Sequence, residues 1–218
     1  MKIKMALFDM DGTAVRYENS SFHSSWDALG IAADVENEWN KLLKHYYPKP
    51  ELYEEWFEKN CKCLIGKEVN KITNQIFPPP YAPGFVDFVH YLNQEKIITG
   101  IISSGIDLVA ERIKNEVSLD FVVANEIHTD NGYFSGTGQI HVPLWDKGKI
   151  VKKIREEHGM DLKETAFFGD NKNDISAWQE VGLRVGINLK GNECYKAVQG
   201  YFQDFVRIDS YLERLMDE

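Results

Sequence analysis

The sequence predicts an α/β protein: a largely parallel sheet covered by helices on both faces, with a helical subdomain inserted after the first strand. Three observations lead there. From Pro83 onward short apolar runs alternate with stretches of helical spacing, the rhythm of parallel strands joined by crossover helices. The first apolar run, Ile3 and Met5 to Phe8, stops at Asp9-Met10-Asp11-Gly12-Thr13. A buried strand thus ends in two carboxylates that share a face, at the sheet edge where open α/β folds bind ligands. Between these stretches, residues 14–82 carry helical spacing, and a segment of that length is not a structureless loop in a compact protein. The expected architecture is a Rossmann-like three-layer core over residues 1–13 and 83–218, with a helical cap over residues 14–82.

The elements follow in order. In the cap, Phe22, Trp26 and Leu29, then Trp39, Leu42, Leu43 and Tyr46, then Leu52, Trp56 and Phe57 recur at helical intervals, with Pro48 and Pro50 separating two of the helices. These aromatics read as the cap's own core. Pro78-Pro79-Pro80 forms its exit linker. Phe85, Phe88, Val89 and Leu92 mark a helix, Ile97 to Ile102 a buried strand ending at Ser103-Ser104-Gly105, Leu108 to Val117 a helix and Phe121 to Ala124 a strand. Asp130-Asn131-Gly132 is a hairpin turn into Tyr133 to Ile140. Gly148 to His158 is helical, Ala166 to Phe168 is a strand entering Gly169-Asp170, and Ile175 to Val181 is a further helix. Leu183 to Ile187 and Phe205 to Ile208 read as strands, before a last helix over Tyr211 to Met216.

Composition narrows the class. The chain has 218 residues, enough for one domain with a substantial insertion, and ordinary shares of hydrophobic (43%) and charged (27%) residues. A formal charge of −9 argues against nucleic acid as a partner, because phosphate backbones are bound by clustered Lys and Arg. Cys61, Cys63 and Cys194 are an odd number without a second pair, which suits reduced thiols of a cytoplasmic protein. Met1 to Phe8 is too short and too quickly acidic for a signal peptide, and no apolar stretch approaches membrane-spanning length. His23, His45, His90, His128, His141 and His158 have no metal-ligand spacing and are read as structural.

Three strands end in polar loops: Asp9 and Asp11, then Ser103 and Ser104, then Gly169-Asp170-Asn171-Lys172-Asn173-Asp174. Parallel strands would place all three on one edge, with Lys147 joining them from the head of its helix. A calcium loop does not explain the first, since Thr13, Ala14 and Ser20 stand where that motif needs Asp or Asn, Gly and Glu. Acidic residues with one serine and one lysine suit phosphoryl transfer: a carboxylate nucleophile, oxygen ligands for Mg2+, and donors for the phosphate oxygens.

Taken together, Phe8-Asp9-Met10-Asp11-Gly12-Thr13, Ile101-Ile102-Ser103-Ser104-Gly105, Asp146-Lys147-Gly148-Lys149-Ile150 and Gly169-Asp170-Asn171-Lys172-Asn173-Asp174-Ile175 resemble, in order, the four motifs of the haloacid dehalogenase superfamily phosphatases. Within it the chain is most similar to the phosphoserine phosphatase group. The resemblance implies that Asp9 is nucleophile and Mg2+ ligand, and that Asp11 is acid and base and ligates the metal through its backbone carbonyl. Asp170 would be the third metal ligand. Ser103, with Ser104 beside it, and Lys147 would hold the phosphate, and Asp174 would orient Lys147. The helical insertion would be a lid that keeps water out until the aspartyl phosphate has formed. Glu18, nine residues after Asp9, corresponds to the glutamate that receives the substrate amino group in that group.

The expected activity is Mg2+-dependent hydrolysis of a small phosphorylated metabolite, with phosphoserine leading. Two features depart from the group. Gly12 replaces a common serine, and the cap has no arginine beyond Arg16 for a substrate carboxylate, leaving Lys59 or Lys62 as stand-ins. The alternatives are a phosphotransferase or mutase of the same superfamily, and a non-enzymatic phosphate-binding protein on the same fold.

Overall fold

The computed structural model describes residues 2–17 and 23–217. In chain order the elements are β1 (Met5–Phe8), α1 (Ser25–Ala32), α2 (Glu36–Tyr46), α3 (Tyr53–Lys62), α4 (Val69–Ile76), α5 (Phe85–Gln94), β2 (Ile98–Ile106), α6 (Asp107–Val117), β3 (Phe121–Asp130) and β4 (Tyr133–Gln139). They continue with α7 (Lys147–Glu157), β5 (Thr165–Gly169), α8 (Ile175–Trp178), β6 (Leu183–Ile187), α9 (Asn192–Ala197), β7 (Gly200–Phe202) and α10 (Ile208–Asp217).

The strands form one seven-stranded sheet in the order β4-β3-β2-β1-β5-β6-β7. All pairings are parallel except β3 with β4. β1 is central, with Phe8 opposite Ile101 on one side and Phe168 on the other. Its alternation divides the core: Ala6 and Phe8 join the cluster under α5 and α6, whereas Met5 and Leu7 join Val151, Phe167 and Trp178 on the other face. Both faces are thus buried, as a parallel sheet requires. Phe8 stacks on Phe168 at 4.9 Å and meets Phe85 edge-on at 5.4 Å. After β1 the chain builds β2 and β3 on one side and later returns to build β5 on the other, so the carboxyl end of β1 is a topological switch point.

Three segments differ from the pattern in the sequence. β2 continues through Ser103 and Ser104 to Ile106, and its register with β3 shifts between Ile102 and Ile106, so the serines sit on an irregularity of the strand. Phe205 to Ile208 is not a strand. Phe205 and Ile208 are buried as loop and helix start, while the edge strand is Gly200–Phe202; a run this short has no periodicity that separates the two cases. The helix expected from Ile175 to Val181 is a single turn ending at Trp178.

Helices α1 to α4 form a bundle on the carboxyl side of β1, and two sets of backbone bonds tie it to the core. At its base the entering and leaving chains run side by side, with Arg16 N–H donating to Pro80 O (2.7 Å) and Ala82 N–H to Ala14 O (2.9 Å). At the far end, Gly66 N–H donates to Phe134 O (2.9 Å), Phe134 N–H to Lys67 O (3.0 Å) and Val69 N–H to Gly132 O (2.9 Å). The β3–β4 turn that receives this segment has both Asn131 (φ 50°) and Gly132 (φ 85°) in the left-handed region, as a tight hairpin needs.

Candidate active site

The site grows from the end of β1. Asp9 is 3% exposed, and its Oδ1 accepts from Lys147 Nζ at 2.6 Å. Lys147, the first residue of α7, is fully buried and reaches Asp174 Oδ1 at 2.5 Å as well. Burial alone would lower the Lys147 pKa, but the charges of Asp174 and Asp9 outweigh it and hold the ammonium above the usual lysine range. Asp174 also organises the loop after β5, its Oδ2 accepting from the backbone N–H of Asp170 (3.0 Å) and Asn171 (3.2 Å). Burial raises the carboxyl pKa of both Asp170 and Asp174, and the Asp9 charge adds to it.

Asp11 faces elsewhere. Its Oδ1 accepts from Ser25 N–H at 2.8 Å and its Oδ2 from Ser25 Oγ at 2.7 Å. Ser25 opens α1, so the carboxylate satisfies a helix N–H that has no partner within the helix. Burial pushes the Asp11 carboxyl up to about 7; the Ser25 hydroxyl and N–H pull against it and the Asp9 charge adds to it. Two neighbouring carboxylates thus have opposite surroundings, one held by an ammonium and one shielded from it. Gly105 makes this approach possible, because a Cβ there would lie 2.8 Å from both Asp11 Oδ2 and Ser25 Oγ.

One carboxylate oxygen from each of Asp9, Asp170 and Asp174 lies within 4.8 Å of the others. An all-oxygen, anionic donor set suits a hard divalent cation. Asp174 already accepts from Lys147 and two backbone N–H groups, which leaves Asp9 and Asp170 as the side chains to hold such an ion. The Asp11 side chain is committed to Ser25. Lys190 Nζ lies 2.8 Å from Asp170 Oδ2. Gly12 fits this crowding: its φ is +92°, and a Cβ would stand 2.3 Å from Asp170 Oδ2 and 2.9 Å from Lys190 Nζ. A serine at this position would collide with the acidic group.

Ser103 is 2% exposed and its Oγ accepts from Gly105 N–H at 3.1 Å. Ser104 O accepts from Asn125 Nδ2 (3.0 Å) and from the indole N–H of Trp26 (3.1 Å). A cavity of about 750 Å3 unites these groups: Asp9, Asp11, Ser103, Ser104 and Asp170 line it together with residues of α1, α2 and α3. Lys147 and Asp174 lie beneath its floor, reached through Asp9.

The remaining expectations divide. Glu18 lies outside the described residues. Lys59 pairs with Glu55 (2.8 Å) and Tyr46 OH (2.5 Å), and Lys62 with Glu58 (3.6 Å); neither lines the cavity. Several lining residues were not singled out in the sequence. His23, read as structural, is at the cavity wall, as are Asn60 and Lys190. Lys190 had a usable signal: it follows β6, a fourth parallel strand whose loop reaches the same edge. Ser25 had none, since only the tertiary fold brings it to Asp11.

Known proteins resemble the chain in sequence and in fold. The chain is 27% identical over 190 residues to a phosphoserine phosphatase of Methanocaldococcus jannaschii, covering 87% of each protein. It is 26% identical over 189 residues to a phosphoserine phosphatase of Archaeoglobus fulgidus, covering 86% of this chain and 53% of that protein. A solved phosphoserine phosphatase described as a phospho-aspartyl intermediate analogue superposes with a TM-score of 0.78 at 25% identity, over 97% of this chain and 99% of the other. The sequence profile of the haloacid dehalogenase-like hydrolases matches residues 6–179, and the chain belongs to that family.

Proposed function

We propose that the enzyme is a Mg2+-dependent phosphomonoesterase that works through an aspartyl phosphate on Asp9. The observation that carries this is the division of labour at the end of β1: Asp9 is bound by a buried lysine at 2.6 Å, while Asp11, two residues on, is turned to Ser25. Mg2+ held by Asp9, the Asp11 carbonyl and Asp170 would supply charge neutralisation between the nucleophile and the phosphate dianion.

The residues then act in sequence. An Asp9 oxygen attacks phosphorus and the ester oxygen leaves, taking a proton from Asp11. Asp11, now ionised, takes a proton from water as that water attacks the aspartyl phosphate, which returns Asp9 and releases inorganic phosphate. Ser103 and Ser104, at the irregular end of β2, receive phosphate oxygens, Lys147 offsets the charge on Asp9, and Asp174 holds Lys147 in place. The cap, residues 14–82, closes the cavity over the ester. The named relatives support an amino-bearing metabolite, with phosphoserine first on the panel, and Glu18 remains the residue proposed for its amino group.

The test is phosphate release from a panel of phosphorylated metabolites, with magnesium and with chelator. Release that needs magnesium and a phosphoenzyme lost in Asp9→Asn are expected, with calcium a poor substitute for magnesium because its coordination is looser. Full activity in chelator overturns the mechanism.

A further inference from the structure

On its cap side the cavity is walled by rings. Trp26 meets Trp39 edge-on at 5.4 Å and Phe57 at 5.8 Å, and Tyr53 meets Trp56 at 6.1 Å. The Trp26 indole is hydrogen-bonded to Ser104 O, so this wall begins directly beside the end of β2 proposed to receive phosphate. Among the described residues lining the cavity, Asp9, Asp11, Asp27, Glu36 and Asp170 are acidic, while the one lysine, Lys190, pairs with Asp170 at 2.8 Å. Arg16 does not line it, and its guanidinium donates to Gln203 O. Asn60 is 8% exposed, lines the cavity, and has a buried Oδ1 with no hydrogen-bond partner.

Each of these features selects for the same charge. Indole and phenol faces attract ammonium groups, most of all quaternary ones. Asp27 and Glu36 add negative potential, and a free amide oxygen accepts from N–H. A carboxylate on the substrate would instead face Asp27 and Glu36, with no lysine or arginine left uncommitted among the described residues of the wall and with His23 bonded through its backbone N–H to Asp27 (3.1 Å), and burying it unpaired is costly. The Trp56 indole N–H is buried and unpaired too, but a neutral donor leaves a carboxylate's charge unmet. The volume, about 750 Å3, is in the upper range for ligand pockets, so methyl groups on the nitrogen have room.

We propose that the preferred substrate is the phosphate monoester of a cationic amino alcohol without a carboxylate, its ammonium held against the ring wall with Asp27 as counter-charge. This rests on the phosphatase reading above but puts an ester without a carboxylate ahead of phosphoserine, and Asp27 in place of Glu18 as the partner of the amine; the hydrolysis itself is unchanged.

The test compares kcat/KM of the full chain with magnesium for phosphoethanolamine, phosphocholine, O-phosphoserine and glycerol 1-phosphate. At least one of the two amine esters should exceed both O-phosphoserine and glycerol 1-phosphate by about 10-fold or more, and Trp26→Leu and Asp27→Asn should each cut its ratio to glycerol 1-phosphate by about 5- to 10-fold. Preference for O-phosphoserine, equal use of glycerol 1-phosphate, or a ratio that neither variant moves overturns the proposal. If Trp26→Leu does not fold, Asp27→Asn carries the test, together with calorimetric binding of phosphoethanolamine against O-phosphoserine to the Asp9→Asn protein. Hydrolysis of p-nitrophenyl phosphate separates the two failures. If that ester is cleaved while O-phosphoserine is the best metabolite, the amino-alcohol proposal alone falls. If no ester is cleaved, the phosphatase reading falls with it.

Discussion

At the sheet edge the functional groups hold one another: Asp9 and Asp174 share Lys147, Asp174 takes two backbone N–H groups, and Asp11 takes two bonds from Ser25. Across the same cavity, on the cap side, Asn60 Oδ1 and the Trp56 indole N–H are buried without partners, among rings that hold each other by their edges. The first region is organised before substrate arrives. The second leaves polar atoms for substrate to satisfy. Fixed groups at the reacting centre lower the cost of reorganisation, whereas unsatisfied groups in the binding wall penalise a ligand that lacks the matching atom.

That contrast can be broken by substitution, beginning with the largest effect. Asp9→Asn should reduce phosphate release by about 10,000-fold or more, with no labelled phosphoenzyme in acid-quenched samples, because the variant has no nucleophile. Asp11→Asn should slow an alkyl phosphate by about 100- to 10,000-fold while still forming phosphoenzyme from an aryl ester, whose leaving group needs no acid. Normal turnover of an alkyl ester by Asp11→Asn would show that the two carboxylates do not differ in role.

Lys147→Met should cost about 3 to 5 kcal/mol of stability in urea unfolding, since it leaves Asp9 and Asp174 buried without their shared cation. Ser25→Ala should lower kcat for an alkyl ester by about 10-fold, since the hydroxyl bond that fixes Asp11 Oδ2 is lost and only the backbone N–H bond to Oδ1 remains to aim the acid. An aryl ester should be affected less. Trp56→Phe sharpens the other side of the comparison. It removes a buried N–H that has no partner, so it should change stability by less than about 1.5 kcal/mol by the same urea measurement. A loss as large as that of Lys147→Met would mean that the cap wall is as tightly organised as the sheet edge.

The two regions were also unequally legible in sequence. The loops of the sheet edge each follow a short apolar run, so strand, turn and carboxylate appear as one continuous string, as in Phe8-Asp9-Met10-Asp11. Parallel pairing then brings the strings together, as the register of β1 with β2 and β5 does. The cap wall has no such string. Trp26 reaches Ser104 across 78 positions of sequence and Trp39 reaches Asn60 across 21, and periodicity marked these aromatics only as helix faces. It does not say which ring faces the cap's own core and which faces a cavity. The same limit explains Phe205 and Ile208, which read as strand but are buried in a loop and at a helix start.

The bonds between residues 66–69 and the β3–β4 hairpin bear on how such a protein can be rebuilt. The cap enters and leaves at one place, Ala14 to Arg16 beside Pro80 to Ala82, which marks it as a module that could be exchanged between relatives. Yet Gly66, Lys67 and Val69 exchange three backbone bonds with Gly132 and Phe134. A chimera cut only at the base would separate a cap from the hairpin fitted to it and leave those groups to find new partners. The transplantable unit is therefore discontinuous, comprising the cap together with the hairpin of residues 126–139, and a graft that carries both should keep its solubility where the simple swap does not.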